Sequence, residues 1–248
     1  FEKKDTPQKV NIKLFRQGAK DIRLNDTKIS QKELIGTLNT VIFCPEDLQL
    51  IKGTPSGRRR FLDMEISQTS ATYYHQLMQY NRLLQQRNAI LKEYRGKQNI
   101  PLEEWDLQLA DMASFIVKKR LESLKKINLL IDLMNRKLTG GLENLTIGYE
   151  QPYMDNGSLE YTKEGFYERI KAALPQDRHR MTTSVGPHRD DLRFFSDAMD
   201  LKKFGSQGQQ RTAVLSLKLS ELEFIKSEVG EYPVLLLDDV LSELDESR

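Results

Sequence analysis

The run Pro233-Val234-Leu235-Leu236-Leu237-Asp238-Asp239 constrains the fold of this chain more than any other stretch. A short apolar segment, opened by proline and closed by two carboxylates, reads as a buried strand of a sheet. A strand that ends in Asp-Asp offers carboxylate oxygens at the sheet's end, where a hard cation binds. Upstream lies Phe204-Gly205-Ser206-Gln207-Gly208-Gln209-Gln210-Arg211, a turn of small residues that opens a helix with Ser206 as N-cap. Such a turn presents backbone N–H groups to phosphate.

The chain has 248 residues, enough for one large domain or two lobes with a real core. Charged residues make up 30% and the net charge is +2, so most Lys and Arg read as solvated helix surface rather than as a nucleic-acid signal. The one cysteine, Cys44, excludes an internal disulfide and suits a reducing compartment, so a cytoplasmic location is expected. Its place in Val41-Ile42-Phe43-Cys44 suggests a small buried residue. No stretch approaches the ~20 apolar residues of a membrane span, and no signal peptide opens the chain. His75, His179 and His188 lie far apart, so no zinc ligand set is visible.

Three segments differ in character. Residues 1–57 read as β: Val10 to Leu14 alternates, Ile22 to Leu24 follows, Asn25-Asp26 marks a turn, and Val41 to Phe43 is a short strand stopped by Pro45. Residues 58–141 read as helix. Tyr73, Leu77, Tyr80, Leu84, Leu91 and Tyr94 share a seam in which Arg87 is out of character. After a break at Gly96 to Pro101, Leu102, Trp105, Leu109, Met112 and Ile116 resume it. Leu124, Ile127, Ile131, Met134 and Leu138 continue to a stop at Gly140-Gly141. That is an antiparallel helical hairpin. Residues 142–248 return to β and α: Leu145 to Tyr149 as a strand, Asp155-Asn156-Gly157 as a turn, and Tyr161 to Leu174 as a helix ended by Pro175. Met181 to Ser184 and Leu192 to Phe195 read as strands, a helix runs from Ser206 to about Val229, and the buried strand closes the segment.

The helix-opening turn followed by the Asp-Asp strand resembles the second half of an ATP-binding-cassette ATPase head. Further blocks sharpen the resemblance: Val41 to Leu48, Gly57-Arg58-Arg59-Arg60-Phe61-Leu62-Asp63, Gln86 to Lys92, and Ser184-Val185-Gly186-Pro187-His188-Arg189-Asp190-Asp191-Leu192. Together they resemble the RecF family, bacterial recombination mediators of the SMC-like ATPase group, over nearly the whole chain. The resemblance implies an α/β ABC/SMC-like ATPase head: a partial lobe I, with its sheet and helices, interrupted by an α-helical lobe II. It also implies an ATP-dependent homodimer that binds double-stranded DNA near single-strand gaps and, with RecR and RecO, helps load recombinase in repair and replication-fork maintenance. ATP and Mg²⁺ are the implied cofactors.

By the same resemblance Asp238 is the Mg²⁺-holding Walker B aspartate. Asp239 stands where a water-orienting Glu is usual; being one methylene shorter, it implies slow hydrolysis. Ser206, Gln207, Gly208 and Gln209 match the ABC signature, with Gly205 where that motif has Leu and Gln207 where it has its first glycine. They would contact the γ-phosphate held by a second protomer. Asp245, in Leu241 to Asp245, matches the D-loop at the dimer seam. A P-loop, G-x-x-x-x-G-K-[ST], is absent: Gly18 has no GK[ST] downstream and Gly96-Lys97 is followed by Gln98. The chain is therefore expected to be a piece of a longer protein, unable alone to bind ATP normally. Arg58, Arg59 and Arg60 are the first DNA candidates, able either to meet phosphates or to pair with Asp63 or Glu65; Arg178 and Arg180 are weaker ones. His188 and Arg189 either line a nucleotide or dimer face or belong to a structural turn. A non-enzymatic DNA-binding or scaffold module is the alternative reading. An SMC-like head with a long coiled coil is a third, but the hairpin is too short for it.

Overall fold

A computed structural model of the chain describes residues 1–3, 6–16, 18, 20–95, 100–153 and 161–238. Two short strands, β1 (Glu2–Lys3) and β2 (Thr6–Pro7), pair antiparallel. An antiparallel meander follows: β3 (Val10–Leu14), β4 (Lys20–Leu24) and β5 (Thr27–Ile29). Asn25 and Asp26 close its second turn at φ of 47° and 66°, the left-handed region that a two-residue hairpin loop demands and that Asn and Asp tolerate. The helix α1 (Gln31–Leu34) opens on a reciprocal cap between Ser30 and Glu33.

β6 (Thr40–Phe43) leads through a 3₁₀ turn at Pro45–Leu48 into α2 (Gln49–Lys52) and then three longer helices. These are α3 (Pro55–Thr69), α4 (Ala71–Glu93) and α5 (Glu103–Thr139). The apolar pattern gave no sign of the break between α3 and α4. Ser70 makes it, leaving helical geometry and accepting a hydrogen bond from the Tyr73 N–H as the cap of α4. With 37 residues, α5 runs ~56 Å at a rise of ~1.5 Å per residue. It does more than close a hairpin with α4, because α6, α9 and β7 also pack along it. Its apolar residues Leu109, Ile116, Ile127 and Ile131 sit in one continuous core with Val41, Leu62, Phe194 and Phe224.

The remainder is β7 (Leu145–Glu150), α6 (Lys163–Ala172), α7 (Leu174–Arg180), β8 (Asp191–Ser196), β9 (Met199–Asp200), α8 (Leu201–Phe204), α9 (Gln207–Val229) and β10 (Val234–Leu237). β7, β8 and β9 form an antiparallel sheet. Two expectations change here. Pro175 does not end a helix; it lies in the first turn of α7, where its missing N–H costs nothing. Met181 to Ser184 is not a strand, because Met181 closes α7 in a left-handed conformation at φ 53°. The expected turn at residues 155–157 lies outside the described residues.

The largest departure is β10. It pairs in parallel with β6, Val234 against Thr40 through Leu237 against Phe43, but it is not buried. Val234 is 40% and Leu237 58% exposed. A two-stranded ribbon cannot cover both faces of its own side chains; that takes further strands or a helical layer.

Arg87, out of character on the α4 seam, is fully buried. Its Nε donates to Asp106 of α5 at 2.6 Å, and its Nη1 donates to Asp177 of α7 at 2.6 Å and to Thr183 at 3.0 Å. Asp177 is itself fully buried and accepts from the backbone N–H and hydroxyl of Ser184. Arg87→Met should cost about 3–5 kcal/mol, because it strands a buried carboxylate. Chemical denaturation measures this, and a loss below about 1 kcal/mol would show that the pair is not a linchpin.

Candidate functional site

The N-terminus of α9 is tied inward by two glutamines and left open by three residues. The Ser206 hydroxyl accepts from the Gln209 N–H at 3.2 Å, and the Gln209 side chain accepts from the Ser206 N–H at 3.0 Å. Gln209 also donates to Glu143 at 3.0 Å, and the buried Gln210 donates to the Leu201 carbonyl at 2.7 Å. Ser206, Gln207 and Gly208 are exposed. A side chain at Gly208 would meet nothing nearer than the Ser206 hydroxyl at 3.9 Å. Packing within the chain therefore does not demand that glycine, which keeps the backbone open to an outside group. Gly205 is the reverse case: a Cβ there would fall 2.7 Å from the Leu201 carbonyl oxygen. The leucine usual at this point of the motif has no room.

Asp238 follows β10, and its N–H extends the ribbon by donating to the Phe43 carbonyl at 2.9 Å. Its side chain is exposed and makes no ion pair among the described residues. No group of three or more His, Cys, Asp or Glu that could hold a metal occurs among the described residues. Asp239 and Asp245 lie outside them. No hydrogen bond or ion pair among the described residues joins Asp238 to Ser206.

The three arginines part company. Arg58 is 3% exposed, with a two-pronged pair to Asp191 at 2.7 and 2.8 Å and a further bond to the Gly53 carbonyl at 2.9 Å. Its guanidinium is fully used inside the protein, so the expected DNA contact at Arg58 does not stand. Arg59 is half-buried and donates once, to the Asp190 carbonyl at 2.7 Å. Arg60 is exposed. Neither expected carboxylate pairs with them. Asp63 is bound by Arg120 at 2.9 Å, and Glu65 faces Lys218.

The segment from Gly186 to Asp191 is tied into the fold by its own side chains. A Cβ on Gly186 would sit 2.4 Å from the Tyr80 hydroxyl, so α4 passes too close for any other residue. His188 bridges Tyr80 at 2.6 Å and the Thr183 carbonyl at 3.0 Å. Since a carbonyl only accepts, Nε2 carries the proton and Nδ1 accepts from Tyr80. Burial pulls the His188 pKa down to about 4, so the ring is neutral at pH 7. Arg189 donates through Nε and Nη2 to the same carbonyl. Buried Arg120 joins the turn to the helices, donating to the Pro187 carbonyl at 2.7 Å and pairing with Asp63 of α3.

One cluster left no trace in the sequence reading. Lys218 of α9 pairs with Glu221 at 2.9 Å and reaches Asp47 at 3.8 Å, while lying 5.8 Å from the Phe61 ring and 5.9 Å from that of Phe43. Glu65 of α3 completes it. Burial pushes the Glu65 pKa up from 4.5 to about 7, Lys218 opposing, and Glu221 is raised by burial and by Glu65. A carboxyl with a raised pKa in the folded protein contributes stability that is complete below pH 4.5 and lost as pH rises through 7. Glu65→Gln should flatten that fall, seen as a melting temperature that changes less across the window. An unchanged slope in the variant would show that Glu65 titrates as an ordinary glutamate.

No family model matches the chain. The DNA replication and repair protein RecF of Alkaliphilus oremlandii (strain OhILAs) is 48% identical over 242 residues, 96% of this chain and 66% of that protein. The protein of the same name from Clostridium botulinum (strain Eklund 17B / Type B) is 47% identical over 247 residues, 99% of this chain and 67% of the relative. Among solved structures, the recombination mediator protein RecF with ATP, of the RecFOR pathway, aligns at a TM-score of 0.89. It is 38% identical and covers 97% of this chain and 65% of its own. The chain thus has the mixed α/β fold of that structure and spans about two thirds of the length of the relatives it matches. At nearly half identity along almost its whole length, the chain belongs to the RecF family.

Proposed function

We propose that this chain forms part of a DNA repair and replication protein that works as an ATP-linked dimer on double-stranded DNA. One observation carries the reading: Ser206, Gln207 and Gly208 are held outward and exposed among the described residues, at the start of a 23-residue helix. A long helix start of this kind favours an anion through its free N–H groups and dipole. As the family resemblance implies, the phosphate that Ser206 and Gly208 would contact belongs to a nucleotide carried by a second copy. Asp238 would hold Mg²⁺, whose positive charge, when bound, neutralises phosphate oxygens. Asp239 occupies the water-orienting position with a short reach, which suits slow hydrolysis and a switch. Asp245 belongs to the dimer seam.

The names of the relatives support repair and replication, and their solved structures support ATP as ligand and the RecFOR pathway as setting. RecR and RecO are accordingly the proposed partners in loading recombinase. Binding to DNA should be independent of sequence, since no base-reading element is visible, and concentrated near single-strand gaps. With Arg58 spent internally, Arg60 and the outer side of Arg59 are the phosphate-facing cations in this part of the surface.

The test uses the protein extended to the length of its relatives. Ser206→Arg places a bulky side chain where the partner's nucleotide would dock. ATP-dependent dimerisation, followed by sedimentation velocity, should disappear while each protomer still binds ATP. Dimerisation equal to that of the unaltered protein would refute the split site.

A further inference from the structure

A cavity of about 500 Å³ opens between α3, α4 and the Pro187-His188 turn. Ser206 and Asp238 do not line it, so it is separate from the phosphate-facing elements above. Its volume is that of a site for a small organic ligand. Its walls are of two kinds. Arg59, Arg60 and Asn81 give it polar groups, while Met64, Tyr74 and Leu77 give it an apolar side.

The charges do not cancel. Asp63 lines the cavity too, but Arg120 and the Tyr73 hydroxyl take up its carboxylate. Arg120 itself is compensated by Asp63 and, at 3.5 Å, by Asp190. His188 is neutral. Arg59 has five N–H donors and spends one, on the Asp190 carbonyl. Arg60 forms no ion pair or hydrogen bond among the described residues. Two guanidinium groups therefore face a concave, partly apolar space: Asp191, Asp190 and Asp63 lie near Arg59 without forming an ion pair with it, and Arg60 has no ion pair among the described residues. Burial, and then the neighbouring Arg120, penalise the charge on Arg59 more than Asp191, Asp190 and Asp63 support it, and an incoming anion would relieve the remainder.

The occupant that matches is an anion with a flat apolar body. A guanidinium fork fits phosphate with two parallel bonds. A nucleobase stacks on tyrosine, and a free amide such as that of Asn81 meets its edge. We propose that this cavity binds a single nucleotide unit, its phosphate held by Arg59 and Arg60 and its base against Tyr74. The unit is either a free mononucleotide or the phosphorylated end of a strand, since both carry the same chemistry. In the second case the site deepens the DNA reading, because it names what the two arginines recognise.

The experiment titrates the chain with AMP, with a 5′-phosphorylated deoxyadenosine dinucleotide and with inorganic phosphate, reading the methyl resonance of Met64. That signal is assigned by its loss in Met64→Leu. Closed circular duplex DNA, which has no strand end, is measured separately. AMP or the dinucleotide should shift the Met64 methyl, and Arg60→Ala should weaken that binding at least about tenfold, the worth of a charge-assisted hydrogen bond. The melting temperature of Arg60→Ala should be unchanged, since the residue is exposed and unpaired among the described residues. Response to AMP and the dinucleotide alike assigns a free nucleotide; response to the dinucleotide alone assigns a strand end. The proposal is overturned if neither shifts Met64, if inorganic phosphate binds as tightly as AMP, or if Arg60→Ala binds AMP undiminished. Failure here with circular duplex still bound leaves the DNA reading standing, whereas loss of the duplex alone strikes that reading and spares the cavity.

Discussion

The structure depends on three arginines that point inward. Arg58 of α3, Arg87 of α4 and Arg120 of α5 are each at most 3% exposed, and each has a carboxylate partner across a long stretch of sequence. Arg58 reaches Asp191, Arg87 reaches Asp177, and Arg120 reaches Asp63 and Asp190. Buried pairs of this kind add little net stability over apolar packing, since desolvation offsets most of the attraction. What they impose is registry. A guanidinium fork in a dry environment accepts one geometry, and a wrong pairing leaves a bare charge. The helical segment is thereby fixed in rotation against the Thr183 to Asp191 turn and the sheet that follows it.

The consequence reaches α9. Asp191 begins β8, β8 and β9 pass directly into α8, and α8 ends at Gly205, beside the exposed cap of α9. Farther along, Lys218 ties α9 to Asp47 of the 3₁₀ turn, which follows β6, and lies in the field of Glu65 of α3. β6 in turn pairs with β10 and so sets where Asp238 stands. The α9 cap is thus linked to α3 through the Arg58–Asp191 pair, and β6 to α9 through Lys218 and Asp47.

Much of this was legible beforehand, and the failures have physical causes. The helices α4 and α5, the meander, the Asn25-Asp26 turn and the Ser206 cap follow from local pattern, where each residue's choice is decided by its near neighbours. Arg87 was visible only as an anomaly on an apolar seam. Its meaning lay in Asp177, 90 positions away. Arg58, Arg59 and Arg60 look alike in sequence, and only the helix's orientation decides that the first turns inward and the third outward. The Glu65–Lys218–Glu221 cluster has no local signature, because its members come from helices far apart in the chain. The burial of β10 was misjudged for the opposite reason: its composition is that of a covered strand, while burial is a property of neighbours.

That exposed composition also bears on the divided site. Val234 to Leu237 are apolar and open, yet Asp238 at their end is held in place by its backbone bond to Phe43 rather than by packing of its own strand. Ser206 is likewise positioned by a local reciprocal cap and by glutamines that reach Glu143 and Leu201, with its outer face empty. Each element is preorganised separately, and neither completes the other within one chain. Hydrogen bonds hold each group in place, and none among the described residues joins them, which is compatible with the proposed ligand shared between copies. In the dimer proposed above, the energy of closing the site would come from association rather than from folding, and a bound nucleotide would then control whether two copies stay together.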